Sequence, residues 1–338
     1  MPKKPRMSNV RTLGGDAAAW RGASLVSVEQ LEPAAMDLLF ATADAMKADV
    51  RSPAGGSDAL RGKVLGNVFY EPSTRTNCSF QAAMLRLGGT TIAVNESTSS
   101  VAKGETLSDT VRSLESYCDA LVLRHPTKGS AREAAEAMRK PLLNAGDGVG
   151  EHPTQALLDV FTIRSELASG AGAEGTALAA LAGRTITMVG DLKHGRTVHS
   201  LAPLLARLGG AAVTLRFVAP ASLRMPGALV EQVARAGATV HEDDALSDEV
   251  LAATDVLYVT RVQKERFDDP AAYEKVKHAF VVTAETLARM KEAAVVMHPL
   301  PRVGEIAEEC DADPRAAYFR QMENGMFVRM ALLKLLLS

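Results

Sequence analysis

Short apolar runs alternate with longer amphipathic segments along the chain of 338 residues. Each run has the length of a buried strand, and the segments between the runs have helical spacing. Strands that are joined through helices pair in parallel, so the pattern predicts one parallel βαβ sheet in each half of the chain. The predicted strands are 63–70, 90–94, 120–123 and 142–144 in the first half, and 185–189, 213–218, 256–260 and 295–297 in the second.

Three further segments predict how the halves are joined. Residues 153–168 predict a helix between them, and the segment 169–182, rich in Ala and Gly, predicts a surface linker. Residues 325–337 are apolar on nearly all sides, so this last helix must be buried between the domains or against the first. We expect an α/β fold of two Rossmann-like domains, each a parallel sheet flanked by helices, with an interdomain helix and a C-terminal helix that packs back on the first domain. The predicted boundaries are a basic tail at 1–21, a first domain at 22–152 plus 324–338, and a second domain at 153–323.

Composition and charge argue against several classes of protein. The chain is 47% hydrophobic and 23% charged, as soluble globular proteins are, and it is long enough for two domains. A net charge of −2 argues against nucleic acid as the main partner, because binding to a phosphate backbone needs a basic surface. No apolar run is long enough to span a bilayer, so we expect no membrane partner.

The cysteines and the first residues bear on location. Cys78, Cys118 and Cys310 are widely spaced and show no metal-ligand spacing, so we expect reduced thiols in the cytoplasm, no metal site, and packing within a helix for Cys78. Residues 1–21 carry five basic side chains against one acid and have no apolar h-region, which disfavours secretion. We expect a disordered basic tail there, and the alternative is an organelle-targeting peptide.

The strongest local signal is Glu-Pro-Ser-Thr-Arg-Thr at 71–76, between the predicted strand 63–70 and a predicted helix at 77–87. Three hydroxyls and a guanidinium stand where the beginning of a helix presents unpaired N–H groups. The amides, the helix dipole and the arginine all favour negative charge, so the segment predicts a site for phosphate or another oxyanion. The alternative is an ordinary helix cap, for which one Ser or Thr would suffice.

Other polar clusters also follow predicted strands, where parallel sheets bind their ligands. Taken alone, His152 before a proline is also compatible with a helix cap, and 261–266 with a solvated charged face. The segment 190–196 lacks the close glycine spacing of a dinucleotide turn, so we expect no nicotinamide or other cofactor. The clusters are 71–76, 124–126, 190–197, 261–266 and 298–302.

Together these clusters resemble the aspartate carbamoyltransferase family. The resemblance runs from about residue 24 to the C-terminus in the family's order, and it implies transfer of a carbamoyl group from carbamoyl phosphate to the amine of L-aspartate in de novo pyrimidine (UMP) biosynthesis. Catalysis in such a reaction depends on positioning and electrostatic stabilisation. The segments that carry the resemblance are EPSTRT at 71–76, AKGETL at 102–107, RHP at 124–126, EHPTQ at 151–155, GDLKHGRTVHS at 190–200, TRVQKER at 260–266 and HPLPR at 298–302.

The resemblance implies a role for each matched residue. Arg75 offsets charge on the leaving phosphate, and Arg196 and Arg261 clamp the two carboxylates of aspartate with help from Gln263. The implied carbamoyl phosphate contacts are Ser73, Thr74, Arg75 and Thr76 for the phosphate, Arg124, His152 and Thr76 for the carbonyl oxygen, and Gln155 with the Leu300 carbonyl, beside Pro301, for the carbamoyl amino group.

Two expectations concern assembly and closure. The resemblance implies that the polar loop 95–105 enters a neighbouring subunit's site and places Ser99 and Lys103 against the substrates, with Lys103 contributing to catalysis and to aspartate binding. A homotrimer with shared active sites is therefore expected. We also expect Glu71 to pair with one or both of Arg196 and Arg266 when the domains close over the substrates.

Two rival interpretations remain at this point. Ornithine carbamoyltransferase shares the phosphate-binding half, but it has no need of two arginines for an amino acid with one carboxylate, and it replaces the segment 298–301 with one that bears a cysteine. A catalytically silent relative that acts as a scaffold is the other interpretation, and the intact substrate residues disfavour it. The sequence leaves open whether regulatory chains or neighbouring pathway enzymes associate with the chain.

Overall fold

The computed structural model describes residues 9–95, 104–167, 176–263, 267, 269–277 and 279–338. The chain divides into two compact units. Unit 1 consists of Met1–Leu157 with Gly325–Ser338, and unit 2 consists of Leu158–Asn324.

The strands and helices alternate in both units, as the apolar pattern predicts. The strands are β1 (Val64–Phe69), β2 (Thr90–Asn95), β3 (Ala120–His125), β4 (Leu142–Asp147), β5 (Arg184–Val189), β6 (Val213–Val218), β7 (Thr239–Asp243), β8 (Val256–Val259) and β9 (Val295–Met297). The α-helices are α1 (Ala17–Trp20), α2 (Pro33–Arg51), α3 (Thr74–Arg86), α4 (Leu107–Leu114), α5 (Ser130–Ala137), α6 (Pro153–Leu167), α7 (Ala177–Leu181), α8 (Arg196–Gly209), α9 (Gly227–Arg235), α10 (Asp248–Ala253), α11 (Pro270–Val276), α12 (Ala284–Ala288) and α13 (Tyr318–Leu337). Short 3₁₀ helices occur at Val28–Gln30, Gly210–Ala212, Ala221–Leu223 and Glu308–Ala312.

Unit 1 contains a parallel sheet with the strand order β2-β1-β3-β4. All six residues of β4 are buried, and apolar side chains of β1, β3 and α5 form one core cluster that includes Val68, Leu121 and Ala134. From β1 the chain goes to β2 on one side and then to β3 on the other side. The crevice at the carboxyl ends of β1 and β3 is therefore the topological switch point, where open α/β sheets bind ligands.

Unit 2 contains a second parallel sheet, with the order β7-β6-β5-β8-β9. Its core cluster includes Val189 of β5, Leu257 of β8 and Val296 of β9, all of which are buried. From β5 the chain goes to β6 on one side and later to β8 on the other. The switch point of this sheet therefore lies at the carboxyl ends of β5 and β8.

The C-terminal helix α13 packs back on unit 1, as the sequence predicts. The N–H of Gly22 donates to the carbonyl of Leu336 across 3.0 Å. The guanidinium of Arg329 donates to the Ser79 hydroxyl across 2.9 Å and lies 5.0 Å from the centre of the Phe80 ring. None of the helices within the described residues has both the length and the apolar character needed to cross a membrane.

The structure corrects five details of the sequence predictions. β7 was not predicted, because its sequence TVHED is polar and only an edge strand with one neighbour can tolerate that composition. α7 lies within the predicted linker 169–182, α3 begins at Thr74 rather than 77, and α13 begins at Tyr318 rather than 325. Cys78 was expected to pack within its helix, but it is exposed on α3.

Candidate functional site

The predicted anion site lies at the beginning of α3 in unit 1. Thr74, Arg75 and Thr76 form the first helical turn, whose N–H groups have no partner within the helix. Ser73 occupies the N-cap position, but its side chain makes no capping hydrogen bond. Ser73 therefore does not act as an ordinary cap here, and the beginning of α3 is suited to bind an oxyanion.

Arg124 lies at the end of β3, in register with Phe69 at the end of β1. The Tyr70 N–H donates to the Arg124 carbonyl across 2.8 Å, so the pairing continues just past β1. The Arg124 Nε lies 3.3 Å from Glu71 Oε2, and these side chains are only 12% and 19% exposed. The segment 71–76 and Arg124 therefore meet at the switch point of the first sheet.

This ion pair within unit 1 is a contact that the sequence did not predict. Glu71 was expected to pair with one or both of Arg196 and Arg266, and that pairing stays a prediction. In this structure, Glu71 offsets the charge of Arg124. An anionic substrate that approaches Arg124 would compete with Glu71 for the guanidinium.

His152 and Gln155 are placed by the beginning of α6. The carbonyl of His152 accepts hydrogen bonds from the N–H groups of Gln155 and Ala156, at 3.0 and 3.2 Å. Both side chains are buried, with 3% and 5% exposed. A buried imidazole and a buried amide at a helix N-terminus are suited to donate hydrogen bonds to a carbonyl substrate.

The loop before His152 is held by two acids that the sequence did not single out. Asp147 Oδ1 accepts from the N–H of Glu151 across 2.7 Å. Glu151 Oε2 accepts from the N–H of Val28 across 2.9 Å, and burial raises the pKa of the Glu151 carboxyl. Sequence patterns give no signal for this role, because acids in a polar loop are typical of solvated positions.

Asp191 organises the candidate site of unit 2. This carboxylate is fully buried and accepts hydrogen bonds from the N–H groups of His194 and Gln263, at 3.0 and 3.4 Å. It thereby ties the loop after β5 to the loop after β8, although the two are 72 residues apart. Arg196 is the first residue of α8, and Arg261 follows β8, so both arginines lie at the switch point of the second sheet.

Gly190 allows the loop after β5 to pass close to the end of β8. Its φ is +117°, and a Cβ at this position would lie 2.1 Å from the Thr260 carbonyl oxygen. We therefore expect Gly190→Ala to lower the free energy of unfolding by about 2 kcal/mol or more, through both the clash and the strained φ. The measurement is the urea unfolding midpoint.

Gly183→Ala provides a matched control in the same unit. Gly183 also has a positive φ, +71°, but an added Cβ would meet nothing within 4 Å. In this variant only the strained φ acts, and we expect it to lower the free energy of unfolding by about 1 kcal/mol. Equal losses in the two variants would show that the close approach at Thr260 does not matter.

The segment after β9 is held in an unusual conformation. Leu300 has a φ of +55°, the only positive φ of a non-glycine residue in the part of the chain that the structure describes, and the Leu300–Pro301 peptide bond is cis. Arg302 makes a bidentate ion pair with Asp311, with 2.6 Å between Nη2 and Oδ2. Asp311 also accepts from the Tyr318 hydroxyl, and these bonds lower the pKa of Asp311.

Three predicted residues lie outside the described residues, namely Ser99, Lys103 and Arg266. The other predicted site residues fall into two groups. Glu71, Ser73, Thr74, Arg75, Thr76, Arg124, His152 and Gln155 follow β1 and β3 or begin α6 in unit 1, and Arg196, Arg261, Gln263, Leu300 and Pro301 follow β5, β8 and β9 in unit 2.

Comparison with known families gives two matches that together cover most of the chain. Residues 23–165 match the carbamoyl-phosphate-binding domain of the aspartate/ornithine carbamoyltransferases. Residues 182–336 match the aspartate/ornithine-binding domain of the same family.

Individual relatives agree with these matches. The chain is 53% identical over 314 residues to Multifunctional protein pyr1-3 of Dictyostelium discoideum. The matched region is 93% of this chain but only 13% of that protein. The chain is also 50% identical over 284 residues to an aspartate carbamoyltransferase catalytic subunit of Methanocella arvoryzae. This match covers 84% of this chain and 88% of that subunit. A crystal structure of aspartate transcarbamoylase from Trypanosoma cruzi in complex with carbamoyl phosphate and aspartate is 44% identical, with a TM-score of 0.87 over 95% of this chain and 99% of that chain.

Proposed function

Because this chain belongs to the aspartate/ornithine carbamoyltransferase family, we propose that it is an enzyme that transfers the carbamoyl group of carbamoyl phosphate to the amine of L-aspartate. The amine nitrogen bonds to the carbonyl carbon, the carbon–oxygen bond to phosphate breaks, and the amine loses a proton. The products are N-carbamoyl-L-aspartate and phosphate, and the step belongs to de novo pyrimidine biosynthesis.

Residues of unit 1 hold carbamoyl phosphate. The first turn of α3 and the guanidinium of Arg75 bind the phosphate, with the Ser73 hydroxyl beside them. Arg124, His152 and Thr76 donate hydrogen bonds to the carbonyl oxygen, which gains negative charge as the tetrahedral species forms. Because these donors stand on fixed strand and helix ends, they need little reorganisation during the reaction.

Residues of unit 2 hold aspartate. Arg196 and Arg261 each bind one carboxylate with the planar fork of a guanidinium, and Gln263 assists them. The observation that carries the choice of aspartate is the buried Asp191, which fixes the loops bearing these arginines at neighbouring strand ends. An amino acid with a single carboxylate, such as ornithine, would leave one arginine of this pair without its partner.

The proposed activity is tested by offering carbamoyl phosphate together with L-aspartate or with L-ornithine and following the carbamoylated product. Carbamoyl aspartate should form, and citrulline should not. Formation of citrulline would identify an ornithine carbamoyltransferase. No product with either amine, from folded protein, would favour the scaffold relative.

We further propose a homotrimer in which Lys103 of one subunit completes the site of its neighbour. Lys103→Ala and Arg75→Ala proteins are each expected to be inactive. After the two are unfolded together and refolded in equal amounts, roughly one quarter of the sites should combine an intact Arg75 with a neighbour's intact Lys103. The measurement is the activity of the mixture relative to wild type.

A matched mixture tests whether recovery comes from sharing. Arg75→Ala mixed with Arg124→Ala should recover nothing, because both residues lie in unit 1 and serve the same subunit's site. No recovery in the Lys103 mixture, or equal recovery in both mixtures, would contradict a shared site. Light scattering of the wild-type protein gives the subunit number independently.

Location and partners follow from the same proposal. The three cysteines are free thiols, which supports a reducing compartment such as the cytoplasm. Pathway enzymes are the partners to test first, because a relative is a multifunctional protein of which this chain matches 13%. Light scattering with and without pyrimidine nucleotides would reveal regulated assembly.

A further inference from the structure

His298 is buried directly after β9 and bonds to Leu300 through its side chain. The N–H of Leu300 donates to His298 Nδ1 across 2.7 Å. An imidazole nitrogen can accept a hydrogen bond only if it carries no proton. The ring of His298 is therefore neutral, its proton is on Nε2, and Nε2–H donates to Glu305 Oε1, which lies 2.7 Å away.

Glu305 accepts the hydrogen bond from the other ring nitrogen of His298, and its carboxylate is itself held in place. Its second carboxylate oxygen accepts from the N–H of Val303 across 2.9 Å. Burial alone would raise the pKa of Glu305, but the bonds from His298 and Val303 outweigh it and hold the pKa below its usual value. An ionised carboxylate with both oxygens accepting leaves the imidazole in one tautomer and one orientation.

The backbone of His298 is anchored as firmly as its side chain. Its N–H donates to Gln321 Oε1 across 3.0 Å, and Gln321 Nε2 donates to Asp159 across 2.6 Å. The Tyr258 hydroxyl donates to the other oxygen of Asp159 across 2.8 Å. All of these residues belong to unit 2, so the hydrogen bonds that fix the backbone of His298 lie within one compact unit.

Leu300 receives this support at the position where the backbone is strained. Its φ of +55° lies in the left-handed region, which a branched residue such as leucine seldom adopts unless its surroundings impose it. The residues on either side are Pro299 and Pro301, which have no N–H to donate. The hydrogen bond from the Leu300 N–H to His298 therefore helps to hold the backbone conformation of Leu300. That conformation sets the direction of the neighbouring carbonyl groups.

We propose that His298 and Glu305 are positioning residues, whose hydrogen-bonded chain holds Leu300 in its left-handed conformation and so aims the Leu300 carbonyl at the amino group of the bound carbamoyl substrate. The inference rests on the proposed function. Both residues act through Leu300, and no proton passes from either of them to the substrate.

Two substitutions separate the nitrogens of the ring. Asparagine can place its amide oxygen near the position of Nδ1 and can accept from Leu300, whereas glutamine reaches the position of Nε2 and can donate to Glu305. We expect His298→Gln to lower kcat about 10- to 100-fold, and His298→Asn to lower it no more than about threefold. KM for carbamoyl phosphate should change little in either, because the phosphate is held by residues 73–76.

Hydrogen exchange reports on Leu300 itself. Peptides that cover 299–302 contain only two backbone amides, those of Leu300 and Arg302, because the other two residues are prolines. The Leu300 amide should be protected from exchange in wild type and in His298→Asn, and it should exchange rapidly in His298→Gln. Rapid exchange in the wild-type protein would overturn the proposal even if neither variant folds.

The remaining outcomes separate this inference from the proposed function. If wild type makes no carbamoyl aspartate, the proposed function fails. If wild type is active but the two variants lose kcat equally, in proportion to their loss of Tm, His298 serves only stability and the positioning role is wrong. Glu305→Gln is expected to show an intermediate loss of kcat and a partly protected Leu300 amide. An unchanged kcat in this variant would show that Glu305 has no part in positioning Leu300.

Discussion

Replacing Arg75 by alanine is expected to lower kcat by about 10³-fold, while the protein stays folded. Arg75 lies on the first turn of α3. In the proposed function, its charge and the N–H groups of the helix stabilise the leaving phosphate. Removing one donor that stabilises transition-state charge costs about 10²- to 10³-fold, and a positioned guanidinium can contribute more. The measurement is steady-state formation of carbamoyl aspartate at saturating concentrations of both substrates.

The same helix offers the control. Arg86 is the last residue of α3, is exposed, and donates to the Gly55 carbonyl. Arg86→Ala should change kcat less than about twofold, since surface contacts of this kind contribute little. A loss in Arg75→Ala that appears only as a higher KM for carbamoyl phosphate would mean that Arg75 binds the ground state and the transition state equally, and would contradict a role in offsetting charge on the leaving group.

The fold is largely predictable from the sequence because several of its strands are short apolar runs that are buried along their whole length. β8 (VLYV) and β9 (VVM) are continuous apolar runs, so the pattern identifies each to within one residue at either end. The predicted ends are too early for β3 and β4, because pairing continues through Arg124, His125 and Asp147 after the apolar run has stopped. Backbone pairing does not depend on polarity, and a hydrophobic pattern cannot detect it there.

The candidate site is predictable only where residue type carries the chemistry. An arginine and hydroxyls at the beginning of a helix point to an anionic ligand by their own nature, so Arg75 can be proposed from the local pattern. The roles of Arg196 and Arg261 come from the family resemblance. Asp191 cannot be found in this way, because its role is to join two loops that are 72 residues apart. The same is true of Glu305, whose place beside His298 depends on the path of the chain after β9.

Replacing Arg261 by alanine is expected to raise KM for aspartate about 100-fold or more and to leave KM for carbamoyl phosphate nearly unchanged. Two hydrogen bonds between a guanidinium and a carboxylate are lost, each of which contributes about 1.5–3 kcal/mol when charged groups are involved. Arg261 follows β8, and its loop is held by the bond from the Gln263 N–H to Asp191, so the loop should keep its place in the variant. The measurement is the dependence of rate on each substrate in turn.

Two further variants decide whether the fork of Arg261 or only its charge matters. Arg261→Lys retains the charge but cannot bind a carboxylate through two parallel bonds, so we expect it to recover only part of the affinity for aspartate. Arg224→Ala removes a guanidinium of the same unit that pairs with Asp244 at the surface, and it should leave both KM values within about twofold of wild type. If Arg261→Ala instead raised KM for carbamoyl phosphate and left the value for aspartate unchanged, Arg261 would belong to the other substrate, and the choice of aspartate over a monocarboxylate amine would lose its physical basis.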